Sequence, residues 1–434
     1  MMHAEFPAIP GHISGGADAR HHDRPSPGVT TARYVLAAAY CLVALIYFTW
    51  RFTVLNHEYL TFSIIFITAE LIGFFWSLTF VVWGLEFLHR TPPAAQPGLS
   101  VDVFVPTCNE PVDIIRRTLV AALRIEYPHL TWLLDDGNRP EMRALAAELG
   151  CRYSARSYNE DAKAGNLNHG LEKATGDFVA LFDADHIADP AFLNRTLGYF
   201  RDTRVAFVQT PQEVYNFDSY QHAGRRRAEE SWSEHSLFYR SIQRGRDRFN
   251  AAMMCGCSAI LRRSAVDAIG GFATGTVTED MHTSVRLHAA GWSSVYHPET
   301  LSIGLAPHDP RSFHRQRLRW AQGAMQVSRQ EQLLSCAGLN MRQRISYLMH
   351  VFSHFEGFRD IFVYLLPAFV LAFGLSPIDT SVANWAAFTV PYFAISLLIF
   401  EEIGRGHGRF LCNETFNLAR CTSSLRAMRA LLDN

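Results

Sequence analysis

Acidic residues cluster at three points of the 434-residue chain: Asp135 and Asp136 in "LLDDGN", Asp183 and Asp185 in "LFDADH", and Glu279 and Asp280 in "GTVTEDMHTSV". Carboxylates two apart on an extended segment point to opposite sides, unless the strand has ended and a turn brings both to one ligand. Hard oxygen donors of this kind suit Mg2+ or Mn2+, which keep waters and share substrate phosphates. Aspartate at a strand end is also common turn chemistry, so "DAD" alone is balanced between the two uses. Thr278 before two acids reads either as a helix N-cap or as the approach to a general base held at the helix end. Lys163, in "DAKAGNLNHG", is one of only two lysines, the other being Lys173. A cation beside exposed backbone N–H groups can meet phosphate there. The GxGxxG and GxxxxGK[ST] fingerprints are missing, which removes the dinucleotide and P-loop readings and leaves a phosphate-bearing ligand handled by carboxylates and a metal. In "RSFHRQRLRWAQG", Gln316, Arg319 and Trp320 fall at i, i+3 and i+4 and share a helix face, leaving Arg315 and Arg317 to meet lipid headgroups.

These residues need a scaffold, and the pattern around them supplies one. "SVDVFVPTC" is β-rich, "PVDIIRRTLVAALRI" has helical period, and "LTWLLDDG" is a strand ending in acids; "EMRALAAEL" is helical and "GDFVALFDADH" a buried strand. Such alternation predicts an α/β domain over 98–310 with a mostly parallel, Rossmann-like sheet. Ligands bind such sheets beyond the carboxyl ends of the strands, where these acids lie.

Apolar runs flank the domain. Tyr34–Trp50 and Tyr59–Leu88 are long enough to span a bilayer, which takes roughly 17 to 25 residues. Ile361–Leu375 and Trp385–Phe400 are shorter and each contains a proline. Arginines gather before the first run and after the last, which by the positive-inside rule places the middle domain in the cytoplasm at the plasma (inner) membrane. Glu70, inside the second run, is expected to face other helices or a polar cavity. The expected order is a disordered tail over 1–32, with no signal-peptide pattern, two spans within 33–90, then the α/β domain. Amphipathic interface helices follow over 311–358, two spans within 359–403, and a cytoplasmic amphipathic segment over 404–434. Basic and acidic residues nearly cancel, 40 against 41, so charge does not nominate nucleic acid as a partner. The eight cysteines are scattered, as in a reducing compartment, and the Cys255/Cys257 pair reads as small buried thiols.

Taken in order, "PTCNE" (106–110), "DDG" (135–137), "KAGNLN" (163–168), "DAD" (183–185), "CGCSAIL" (255–261), "GGF" (270–272), "TED" (278–280) and "QRLRW" (316–320) resemble the motif series of processive family 2 glycosyltransferases. The likeness is to the bacterial cellulose synthase catalytic subunit and its curdlan and mixed-linkage β-glucan relatives. It implies a GT-A-type domain flanked by transmembrane helices. On this resemblance Thr107, Glu110 and Asp136 line a nucleoside pocket with Asp135 beside them, and Lys163 supports the nucleotide. Asp183 and Asp185 hold the diphosphate through Mg2+ or Mn2+, Asp185 most directly, and Asp280, next to Glu279, is the general base. Gln316 and Arg319 lie near the diphosphate, Trp320 under the acceptor sugar, and Cys255 and Gly256 on the acceptor side. The implied activity is inverting transfer of glucose from UDP-glucose to a growing β-glucan at the membrane, with export or accessory subunits as further partners.

The chain departs from the pattern where Cys257 replaces a small hydroxyl residue, Met253 and Met254 replace phenylalanines, and Tyr215 stands where Phe is typical. These positions resemble the acceptor channel wall and leave the acceptor more open than the donor chemistry. In the resembled enzymes, further helices, a gating loop and a cyclic-dinucleotide-binding barrel follow the segment that here reaches Asn434. That difference leaves open a shorter form, a truncated one, or a second chain for translocation. The nearest alternative keeps the chemistry with UDP-N-acetylglucosamine or GDP-mannose. The alternative of another class, a non-catalytic scaffold or nucleotide-sugar sensor, is opposed by the complete acid set.

Overall fold

The computed structural model describes residues 27–216, 218–223 and 232–427. Most of the tail expected over 1–32 lies outside these residues, as do the last residues of the 404–434 segment. Helix α1, Pro27–Thr53, begins inside the stretch expected to be disordered, with the proline at its first position, where a missing N–H costs nothing. Helix α2, Leu60–Gly84, follows.

The middle domain is built on strands β1 (Val101–Thr107), β2 (Leu130–Asp135), β3 (Arg152–Ala155), β4 (Phe178–Leu181), β5 (Val205–Gln209), β6 (Ala259–Arg262) and β7 (Ser293–Tyr296). They form a 7-stranded sheet in the order β7-β5-β6-β4-β1-β2-β3. All residues of β1 are buried, as expected of a central strand covered on both faces. Strand β1 runs parallel to β2 and β4, β2 parallel to β3, and β5 parallel to β7. The chain passes from β1 out to β3 and returns on the other side of β1 as β4. That reversal opens a crevice at the carboxyl ends of β1 and β4. Strand β6 runs antiparallel to both β4 and β5, a departure from full parallelism with a positional consequence. Its amino end lies beside the carboxyl ends of its neighbours, so the Cys255-Gly256-Cys257 loop that leads into it is delivered to the crevice.

Helices α3 (Val112–Leu123), α4 (Pro140–Leu149), α5 (Ala162–Lys173) and α6 (Glu279–Ala289) cover the sheet. Gly170 of α5 allows close approach to β2, since a Cβ there would lie 2.7 Å from Leu134. Beyond the domain come α7 (Pro310–Gln330), α8 (Met341–Ser353), α9 (Glu356–Phe373), α10 (Val382–Gly404) and α11 (Phe410–Ala427).

Among the described residues three helices are long and apolar enough to cross a membrane: Thr30–Thr53, Leu60–Gly84 and Val382–Gly404. The span expected near 361–375 is also helical, but α9 carries Glu356, Arg359 and Asp360 at its start, which leaves an apolar remainder shorter than a bilayer. The sequence-distant helices form one bundle. Trp50 stacks on Phe388 at 4.7 Å and Tyr47 on Tyr392 at 4.4 Å. Glu70 meets Arg51 at 3.0 Å, which answers its expected cost in lipid. Arg33 meets Glu402 at 2.7 Å, and an isolated bridge joins Leu55 to Ile378 between the α1–α2 and α9–α10 connections.

Candidate active site

The first part of the site forms where β1 and β2 end. Thr107 donates to Glu110 Oε2 at 2.7 Å, and the Cys108 backbone N–H donates to the same oxygen at 2.8 Å. Arg139 ties this loop to the next, donating to Thr107 Oγ1 and to the Glu110 carbonyl, each at 2.8 Å. Asp135, expected beside a nucleoside, is instead fully buried. Its oxygens accept from the Gly137 and Arg139 backbone, the Arg139 side chain and the Tyr153 hydroxyl. With its acceptor capacity absorbed, Asp135 shapes the pocket wall and is not free to contact a ligand. Asp136 points the other way, into a charged pair with Arg156, whose guanidinium also reaches the Asn159 side chain at 3.1 Å. Arg139, Tyr153 and Arg156 were not singled out from sequence; only the four-residue spacing of Asp135 and Arg139 hints at such a lock.

The second part joins four segments around one ammonium. Lys163 Nζ lies 2.5 Å from Asp183 Oδ1, 2.8 Å from the Gly256 carbonyl and 3.3 Å from Glu279 Oε1. Burial opposes its charge, but Asp183 and Glu279 outweigh that and raise its pKa. Gly256 has φ +75, and a Cβ there would sit 3.1 Å from Asp280 Oδ2 and 3.2 Å from Lys163 Nζ. Glycine is therefore required both by the left-handed backbone and by the approach of these groups. Burial and the neighbouring Glu279 carboxylate push Asp280 up to about 7, against the opposing influence of Lys163 and Arg319. Thr278 stands at the N-cap position of α6 but makes no side-chain cap bond, so the capping use of "TED" is not realised.

Metal-ligating groups gather at the carboxyl end of β4. Asp183, His186 and Cys257 each offer one donor atom, all within 4.8 Å of one another. This grouping differs from the expected Asp183/Asp185 pair, because Asp185 Oδ1 lies 2.8 Å from His186 Nδ1 and so holds the imidazole. Burial disfavours a charged Asp185, but the His186 contact prevails and lowers its pKa. Side-chain exposures of 37% for Asp183 and 35% for Asp185 leave room for a cation and a phosphate. These two carboxylates fit Mg2+ or Mn2+, whereas the His186 imidazole and the Cys257 thiol are softer donors than those ions favour. His186 and Cys257 extend the donor set beyond the sequence expectation; the adjacency of His186 to "DAD" was the available signal.

The third part is α7. Its N-cap Asp309 accepts from the Ser312 backbone N–H, and Gly323 presses so closely on Thr278 that a Cβ there would overlap that side chain. This contact sets α7 against the segment bearing Asp280. Gln316 is half-buried and accepts from Arg317 at 2.8 Å, Arg319 is exposed, and Trp320 lies against His235 at 5.6 Å. Arg317, expected at the lipid surface, is buried. A cavity of about 660 Å³ is lined by Asp280, Cys255 and Trp320 together with Phe74, Trp76 and Trp83 of α2 and Tyr392 and Phe400 of α10. It runs from the acids into the helix bundle.

Comparison with known proteins bears on the fold and the family. The solved mannosyltransferase PcManGT from Pyrobaculum calidifontis, in complex with GDP-Man and Mn2+, superposes with a TM-score of 0.59 at 16% identity, covering 86% of this chain and 98% of that one. At that identity the likeness is one of fold, the GT-A type. Cellulose synthase 1 catalytic subunit (UDP-forming) of Komagataeibacter xylinus is 36% identical over 382 residues, 84% of this chain and 50% of its own length. The cellulose synthase catalytic subunit of Xanthomonas axonopodis pv. citri is 40% identical over 282 residues, 64% of this chain and 38% of its own. The chain thus spans half the length or less of these curated relatives. The family model described as cellulose synthase matches residues 267–432, and that described as glycosyltransferase like family 2 matches residues 97–323. The second match starts just ahead of β1 and ends within α7, so it takes in the whole sheet and all three parts of the site, and the chain belongs to the glycosyltransferase-like family 2.

Proposed function

We propose that the protein is a membrane-embedded, inverting, processive glycosyltransferase that moves glucose from UDP-glucose to the non-reducing end of a growing β-glucan. The single observation that best supports this is the cavity lined both by Asp280 and Trp320 and by aromatic residues of α2 and α10. Such a space suits a polymer made at the domain and fed toward the bilayer.

In this reading the pocket walled by Thr107, Glu110 and Asp136 receives the nucleoside, and Lys163, Gln316 and Arg319 face the diphosphate. Asp183 and Asp185, with His186 beside them, would hold Mg2+ or Mn2+, which when bound supplies positive charge to the leaving diphosphate. Trp320 offers its ring to the terminal acceptor sugar. Asp280, poised near neutrality, takes the proton of the attacking hydroxyl as that oxygen bonds to the anomeric carbon. The bond from that carbon to the diphosphate breaks, and UDP departs with the electron pair. One displacement inverts the α-linked donor to a β-linkage, with Glu279 keeping Lys163 in place and no enzyme-bound sugar required. The catalytic domain faces the cytoplasm of a plasma-membrane protein, with the bilayer, the growing polysaccharide and an export or accessory subunit as partners.

The test is incubation of membranes containing the protein with radiolabelled UDP-glucose, UDP-N-acetylglucosamine or GDP-mannose and Mg2+ or Mn2+, followed by linkage analysis. We expect a β-linked glucan from UDP-glucose alone, abolished by chelator. Polymer from another donor would replace the substrate, and no incorporation from any donor would overturn the reading.

A further inference from the structure

Arg317, between Gln316 and Trp320, is 5% exposed. Its guanidinium lies over the Trp320 ring at 4.3 Å and the Phe313 ring at 4.5 Å. A planar cation can hold such stacks while its edge donates hydrogen bonds. That edge donates to Gln316 Oε1 at 2.8 Å, to His235 Nε2 at 3.1 Å and to the Glu234 carboxylate. Glu234 is 6% exposed and also meets Arg420 of α11 at 3.1 Å. Burial alone would favour the neutral acid, but Arg317 and Arg420 hold Glu234 at about 2. Burial and Arg317 drive His235 down to about 3, so its neutral ring accepts the bond from Arg317. Glu234, His235, Arg317, Trp320 and Arg420 all line the cavity that contains Asp280.

We propose that Arg317 is the positioning residue of the acceptor site: braced by Glu234 and, through it, by Arg420 of α11, it fixes the Trp320 ring relative to Asp280. The helix after the last apolar run is then part of the acceptor site's frame and not a peripheral surface segment. This rests on reading Trp320 as the acceptor platform. A loose platform leaves the terminal hydroxyl out of line with the donor, and misplacement of about 1 Å can cost on the order of a hundredfold in rate.

The test uses the full chain in membranes, with calorimetric UDP binding and two products measured: glucosyl units in polymer and free glucose from donor hydrolysis. Arg317→Met and Glu234→Gln are expected to keep wild-type UDP affinity, lose about tenfold or more of polymer formation, and raise the ratio of free to polymer-bound glucose. Arg317→Lys recovers part of the loss, and Arg420→Met gives a smaller loss of the same kind. In a Trp320→Ala background, Arg317→Met should add less than about twofold, because both act through one ring. Full multiplicative losses, or an unchanged product ratio, would overturn the proposal. If Arg317→Met does not accumulate as a UDP-binding protein, the same cycle with Arg420→Met decides. Trp320→Ala with wild-type polymer formation would instead defeat the platform reading, and a wild-type chain without transfer would defeat the function itself.

Discussion

Asp280 sits where burial and a second carboxylate both oppose its ionisation, while Lys163 and Arg319 allow it. A base acts in its ionised form, so a value of about 7 fixes the direction of the pH dependence. Transfer should be low in acid, rise through neutrality and level off above it, with the rate at pH 6 about tenfold below the plateau. Asp280→Asn should remove the rise and lower the rate by roughly a hundredfold or more while UDP binding survives in calorimetry. An active Asn variant with the same pH profile would contradict the assignment. The sequence made Asp280 and Lys163 legible through their type and rarity. It could not show that Asp135 is spent on its own loop, because Arg139 reaches it only through the turn after β2 and Tyr153, from β3, only once the sheet has formed.

At the scale of elements, two small features of the helices after β7 separate geometry from stability. Gly323→Val should force α7 away from Thr278 and lower the transfer rate strongly. Asn340 makes a capping box with Gln343 at the start of α8, away from the cavity lining. Asn340→Ala should cost about 1 kcal/mol of stability with an unchanged rate. Thermal melts alongside transfer assays check both, and equal effects on the two readouts would contradict this division. The β-α alternation was readable because each element carries its own period. The antiparallel course of β6 was not, since strand direction depends on neighbours that share no local pattern with it. For the same reason "CGC" could be recognised as a motif, but not placed against Lys163.

Across the whole molecule, the two apolar regions separated by the catalytic domain make one bundle whose α1–α2 and α9–α10 connections meet. His57→Cys and Asp379→Cys should be labelled from outside intact cells by a membrane-impermeant maleimide above the wild-type background. Arg116→Cys should be labelled only after permeabilisation, and the reverse pattern would invert the proposed orientation. Hydropathy made the runs legible but not their pairing, nor the charged start of α9, whose packing depends on α2 and α11. Arg33 finds Glu402 across a separation of 369 residues. In the proposed membrane-embedded form, biosynthesis imposes an order: α1 and α2 are complete long before the ribosome has made α10. Through that interval Trp50 lacks Phe388, Tyr47 lacks Tyr392 and Arg33 lacks its carboxylate. The nascent protein must be tolerated by the insertion machinery as a half-built bundle while its catalytic domain folds, and a ribosome stalled before α10 would leave that intermediate for quality control to remove.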